Sequence, residues 1–153
     1  MNSMVFVLSI LLLQGEWELK KDKQDIKVYT RDSETSDFKS FRGETYFASS
    51  PEQAVKALRD LANYPLWLDR CEHGEVLEEI TEDEYYIYTR MDMPFPTTDR
   101  DVVQKVEVIR SDNGAIEIKL SSAPEYIPEV DGYVRIPYSN GHWQLIPLSL
   151  IHI

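Results

Sequence analysis

One cysteine, three histidines and few cations leave this chain without the residues that several functions require. Cys71 stands alone among 153 residues, so no intramolecular disulfide can form and cysteine usage says nothing of compartment. His73, His142 and His152 show no metal-ligand spacing; Cys71 and His73 are two apart, which is not a zinc pattern. No metal and no cofactor is expected. The sequence also lacks a nucleophile elbow, a Gly-rich phosphate loop and an HExxH helix, and so offers no catalytic residue. Basic residues number 16 against 27 acidic ones, a net charge of −11. That sign argues against nucleic acid as a partner and against docking on anionic lipid, and it favours solubility. The longest apolar run, Met4 to Leu13, has ten residues, where a spanning helix needs roughly 20. No repeat or low-complexity segment occurs.

What is present suits a folded domain. Apolar residues make up 42% of the chain, with 3 Trp, 9 Tyr and 5 Phe, enough for about one core. The run Met4 to Leu13, followed by Gln14-Gly15, fits the apolar region of a secretory signal, so residues 1–15 are expected to be a signal peptide. Export to the periplasm or the exterior then follows; the competing reading is a buried first strand or helix in a cytoplasmic protein. The tail Leu148-Ser149-Leu150-Ile151-His152-Ile153 has no cap, turn or charge and resembles one reading frame of a transposase adapter. The natural part of this chain is therefore expected to stop near Pro147, where the gene fragment was cut, with 148–153 an artefact and 16–147 an incomplete domain.

Patterning predicts a sheet with one early helix. Trp17 to Lys20 and Ile26 to Arg31 read as strands around a charged turn, Lys21 to Asp25, and Phe38 to Phe47 as a third. Ser50 is placed as an N-cap, Pro51 at the first helical position and Gln53 completes a capping box. Ala54, Leu58 and Leu61 form the apolar stripe, Lys56 and Arg59 face water, and the helix ends by Asn63-Tyr64-Pro65. Hairpins then join Glu75–Ile80 to Glu84–Met93, Asp99–Arg110 to Ala115–Ser121 through Asn113-Gly114, and Tyr133–Pro137 to His142–Ile146 through Ser139-Asn140-Gly141. Short hairpins mean an antiparallel sheet, one face partly covered by the helix. Alternation turns Tyr85, Ile87, Thr89, Met91 and Met93 inward. Val102, Val106 and Val108 share the inward face of the next strand with Arg100 and Gln104, while Asp101, Lys105 and Glu107 lie opposite. An arginine and a glutamine among valines mark a partly polar pocket. Before it stands Met93-Pro94-Phe95-Pro96, whose prolines interrupt regular pairing.

These segments resemble the START domain, the steroidogenic-acute-regulatory-related lipid-transfer family, in its bacterial form. The resemblance is carried by Trp17 to Lys21, Ile26 to Arg31, Tyr64-Pro65-Leu66-Trp67 and Glu84 to Tyr88. Most specific is Pro94-Phe95-Pro96 followed by Asp99-Arg100-Asp101-Val102-Val103. Ala123 to Pro128, Gly132 to Pro137 and the Trp143 strand complete it. It runs from Trp17 to about Pro147.

The resemblance implies an α+β helix-grip fold, a curved antiparallel sheet around an apolar cavity. The family pattern continues with one more strand and a long C-terminal helix, neither of which follows Ile146, so a C-terminally truncated form is expected. It also implies a lipid or other hydrophobic small molecule as ligand, bound and transferred without chemistry, with a transient membrane contact. The ligand-binding candidates are Trp67, Thr89, Met91, Met93, Arg100, Val102, Gln104 and Val106. Arg100 either meets a ligand headgroup with its fork of donors or forms an ion pair with Asp99, Asp101 or another acid. Trp67 and Trp143 serve either core or ligand. A polyketide cyclase- or hydrolase-like enzyme on the same fold is the alternative, and would need an inward His, Asp or Glu that these faces do not supply. A protein-interaction module is a third reading.

Overall fold

A computed structural model describes residues 16–33 and 37–148. The expected signal peptide and residues 149–153 of the expected artefact lie outside them. The chain divides into two compact units, Met1–Ala48 and Ser49–Ile153.

The first unit is a three-stranded antiparallel sheet of β1 (Glu18–Lys23), β2 (Ile26–Arg31) and β3 (Ser40–Glu44) in that order. Lys21 to Lys23, expected in a turn, instead extend β1. The turn is only Gln24-Asp25, both at positive φ (54° and 59°), the geometry that suits a two-residue hairpin. Lysines on this exposed outer strand hid it from a hydrophobic-pattern reading. On one face Arg42 lies 4.4 Å over Tyr29 and 5.1 Å over Trp17, and Arg31 lies 4.5 Å over Trp17.

The second unit begins with α1 (Pro51–Arg59). Its start is the one expected: the Gln53 amide donates to Ser50 Oγ (3.3 Å), and Ser50 N–H donates to Gln53 Oε1 (3.1 Å). Its end differs. The helix stops at Arg59, and a 3-10 helix, Leu61–Leu66, follows with Pro65 inside it. Leu61 thus belongs to the 3-10 helix and is deeply buried there, while Val55 joins the stripe of α1. Arg59 does not simply face water. Its guanidinium lies 4.6 Å over the Tyr85 ring and pairs with Glu79.

Strands β4 (Cys71–Thr81), β5 (Glu84–Met91), β6 (Arg100–Arg110), β7 (Ile116–Ser122) and β9 (Gly141–Leu145) form the sheet in the order β4-β5-β6-β7-β9, antiparallel throughout. The two-residue strand β8 (Val134–Arg135) pairs with the start of β6 in parallel. The expected hairpin between the last two strands is therefore wrong. Ser139 and Asn140 are held by side-chain bonds instead: Ser122 N–H donates to Asn140 Oδ1 (2.7 Å) and Gln104 Nε2 to Ser139 O (2.7 Å). Strand β4 also starts four residues before its expected position, at Cys71. Register shifts at 71/73, 76/78 and 79/81 erase the period-2 pattern along it.

The core lies between α1 with its 3-10 extension and one sheet face. Val55 and Leu61 meet Tyr85 and Ile87 of β5, Val106 and Val108 of β6, Ile116 and Ile118 of β7, and Leu145 of β9. Strand alternation thus placed the core correctly on β5 and β6. Arg110 fastens the corner, pairing with Glu52 in the first turn of α1 (2.8 Å) and with Asp83 in the β4–β5 turn.

Candidate functional site

Six of the eight sequence candidates lie on one face of the β5–β6 pair, because cross-strand register aligns their alternation. Met91 pairs with Arg100, Thr89 with Val102, Ile87 with Gln104 and Tyr85 with Val106. Thr89, Val102 and Val106 are buried; Met91, Arg100 and Gln104 are partly so. Met93 lies just beyond β5, where its N–H donates to Asp99 Oδ1 (2.9 Å) and closes the proline turn. Trp67 is not with them. It follows the 3-10 helix, 52% exposed, edge-on to Tyr64 at 4.8 Å.

The two polar members are already engaged. Gln104 Nε2 donates to Ser139 O at 2.7 Å and contacts Ser139 Oγ at 3.2 Å, so the amide fastens a neighbouring loop. Arg100 Nη1 donates to Thr98 O (2.6 Å), and among the described residues it forms no ion pair with Asp99, Asp101 or another acid. The residue pairing with Asp101 is Arg135.

A small cavity lies between α1 and the sheet, with Leu58, Tyr64, Ile87, Val106, Ile118 and Trp143 among its walls. Its volume is about 10 Å³, room for about one water. Only Val106 of the sequence candidates lines it. Trp143, left between core and ligand by the sequence, is a half-exposed wall of this cavity. The Tyr64 hydroxyl donates to Leu58 O (2.5 Å) and is pushed up to about 12 by burial, so it stays a neutral donor tied to α1. The walls are otherwise hydrocarbon and aromatic ring. Walls of this kind suit contact with an apolar group.

Sequence reasoning missed a polar centre on the opposite face. Asp101, fully buried, receives Arg135 as a fork: Nε to Oδ1 and Nη2 to Oδ2, each 2.9 Å. Arg135 also donates to the carbonyls of Pro124, Ile127 and Pro128 (2.5, 3.1 and 3.1 Å). All five guanidinium N–H groups are thereby satisfied. Tyr88 OH donates to Asp101 Oδ2 (3.1 Å), and burial, the Asp101 charge and this bond push the phenol up to about 12. The segment 123–136 lies across this face as a strap. Tyr126 stacks on Tyr86 with ring centroids 3.7 Å apart, and the Ala123 N–H donates to Val103 O (2.9 Å). Period 2 alone put Asp101 with the solvent-facing Lys105 and Glu107, and only the strap changes that.

Elsewhere, Cys71 is buried, its thiol donates to His73 O (3.3 Å), and burial raises its pKa. Among the described residues no group of three or more His, Cys, Asp or Glu is placed to hold a metal.

No family model matches the chain. The crystal structure of a STAR-related lipid transfer protein from Xanthomonas axonopodis is 35% identical and superposes with a TM-score of 0.81, covering 87% of this chain and 75% of that one. The lipid transfer and protein localization domain of human StarD13 gives a TM-score of 0.71 at 13% identity, over 85% of this chain and 69% of that one, a likeness of fold alone. The uncharacterized protein PA1579 of Pseudomonas aeruginosa is 32% identical over 135 residues, 88% of this chain and 66% of that protein. An acetyl-coenzyme A thioesterase of Rattus norvegicus is 26% identical over 137 residues, 88% of this chain but 24% of the enzyme. The chain thus falls short of two thirds of the length of both these curated relatives.

Proposed function

The chain belongs to the family of STAR-related lipid transfer (START) domains and has their α+β helix-grip fold, and on that premise we propose that it binds a lipid or another apolar small molecule without transforming it. The observation that carries this reading is the cavity between α1 and the sheet, walled by Leu58, Ile87, Val106, Ile118 and aromatic rings. Each methylene removed from water there stabilises the complex by roughly 0.8 kcal/mol. A volume of about 10 Å³ holds no acyl chain, so loading moves Leu58 and Tyr64 away from Val106 and Ile118. The opened space then continues along the face of Thr89, Val102 and Met91. Among the described residues Arg100 donates to Thr98 O and forms no ion pair, and it is the cation proposed for a headgroup at the end of that face.

Native mass spectrometry with lipid extraction tests this. The expected result is a copurifying or exchangeable apolar molecule whose occupancy falls more than tenfold in Ile118→Trp, a variant that fills the cavity. A folded protein that stays empty against a mixed lipid panel would end the reading. The thioesterase likeness keeps an enzyme as the second reading, favoured if an acyl thioester were hydrolysed rather than retained.

Membrane contact is the further part of the proposal. Phe95 is 98% exposed at the tip of the turn between β5 and β6, and Leu66 (81%) and Trp67 (52%) are exposed before β4. The Asp92 N–H donates to Arg70 O (2.9 Å), which brings both loops to one end of the sheet. Exposed aromatic and leucine side chains at one end suit a bilayer interface, and the net charge of −11 favours a zwitterionic one. Phe95→Ser with Trp67→Ser is expected to reduce cosedimentation with phosphatidylcholine vesicles severalfold. Unchanged cosedimentation would remove this end as the contact.

A further inference from the structure

Two separate loops are fastened to the same three residues at the start of β6. The turn Met93–Asp99 is closed from within by Asp99 Oδ1, which accepts the Met93 N–H (2.9 Å), and by Arg100 Nη1, which donates to Thr98 O (2.6 Å). The strap 123–136 is fastened by the backbone of those residues: Val134 N–H donates to Asp99 O and Ile136 N–H to Asp101 O, each 2.9 Å. The Asp101 carboxylate holds Arg135. Arg135 in turn gathers the strap onto itself through the carbonyls of Pro124, Ile127 and Pro128. Side chains at 99 and 100 therefore serve the turn, while the carbonyls at 99 and 101 and the carboxylate at 101 serve the strap.

We propose that Asp99–Asp101 is a shared latch with a hierarchy, in which release of the strap at Arg135 frees the proline turn, while release of the turn leaves the strap in place. The asymmetry has a physical cause. Without the Arg135 fork, as when a lysine stands at 135, the buried Asp101 carboxylate keeps Tyr88 and at most one charged donor, and the carbonyls of Pro124, Ile127 and Pro128 lose theirs, a state that burial penalises. Asp101 must then reorient toward water, and the backbone carrying Asp99 and Arg100 moves with it. Loss of the Asp99 carboxylate has no such reach, because Val134 is bonded to the carbonyl of residue 99 and not to its side chain. The turn carries the exposed Phe95, so the strap governs how firmly that ring is presented; this last consequence rests on the proposed membrane contact, whereas the latch itself does not.

Hydrogen exchange on the 153-residue chain, read by mass spectrometry with β7 and β9 as internal references, tests the latch. Arg135→Lys is expected to speed exchange at Val134 and Ile136 and at Met93 and Thr97 by tenfold or more each. Asp99→Ala is expected to speed Met93 and Thr97 alone. Fast strap amides with a turn unchanged in Arg135→Lys would overturn the proposal, as would a strap loosened by Asp99→Ala as much as by Arg135→Lys. Should Arg135→Lys also lose the protection of β7, the milder Tyr88→Phe decides. A few-fold acceleration of both segments together supports the latch, and a strap accelerated without the turn rejects it. Lipid binding plays no part in the readout, so its failure and that of the latch are separable.

Discussion

Asp101→Ala is expected to lower the stability of the folded chain by about 3–5 kcal/mol, the usual result of leaving one member of a buried pair without its partner. The Arg135 side chain is 5% exposed and Asp101 1%, so water cannot compensate the charge that remains. Arg135→Met is expected to cost a similar amount, because it strands the carboxylate and also leaves the carbonyls of Pro124, Ile127 and Pro128 without a donor. The double variant, Asp101→Leu with Arg135→Met, is the informative one. If the pair exists to fix the strap more than to stabilise the sheet, replacing both charges with hydrocarbon recovers much of the loss in urea denaturation. The coupling between the two single changes then measures the pair. Single variants within about 1 kcal/mol of the parent would show that the strap is not anchored there.

The sequence disclosed local rules and concealed long-range ones. Ser50, Pro51 and Gln53 specify the start of α1 through bonds that span three residues, and Asn113-Gly114 specifies the β6–β7 hairpin, with Gly114 at a φ of 81°. The inward faces of β5 and β6 follow from alternation alone, which is why six site candidates share a face. What alternation cannot show is the position of α1 over that face. Leu58 and Tyr64 enclose the end that holds Val106 and Ile118, so the cavity contains only one of the eight candidates. The same limit explains Asp101. A strand facing solvent and a strand facing a strap read alike, and the pairing of β8 with β6 spans more than 30 residues of chain. Nothing near Ser139-Asn140-Gly141 distinguishes a hairpin from a loop held by Gln104 and Ser122.

Gly74→Ala is expected to cost about 1–3 kcal/mol despite its small size, because the site has no room for one methyl group. A Cβ built at Gly74 stands 2.6 Å from the Leu61 carbonyl oxygen, 3.3 Å from its carbonyl carbon and 3.4 Å from its Cβ. The obstructing atoms are mostly backbone, so no rotamer change relieves the contact. Either β4 bends or the 3-10 helix lifts, and the second moves Leu61 out of the core and Tyr64 from the cavity wall. Gly141→Ala is the control in the same sheet: nothing lies within 4 Å of its Cβ position, and a change within about 0.5 kcal/mol is expected. Thermal and urea unfolding of the two variants supply the comparison, with Gly74→Ala predicted to melt several degrees lower. Equal stability of both would mean that the 3-10 helix does not press on β4 as closely as 2.6 Å requires. Should Gly74→Ala instead be folded, less stable and quicker to take up an apolar ligand, the cost of lifting Tyr64 from Val106 and Ile118 would be identified as the barrier to loading. The glycine then has a second role, since the close approach that it permits keeps the empty cavity shut.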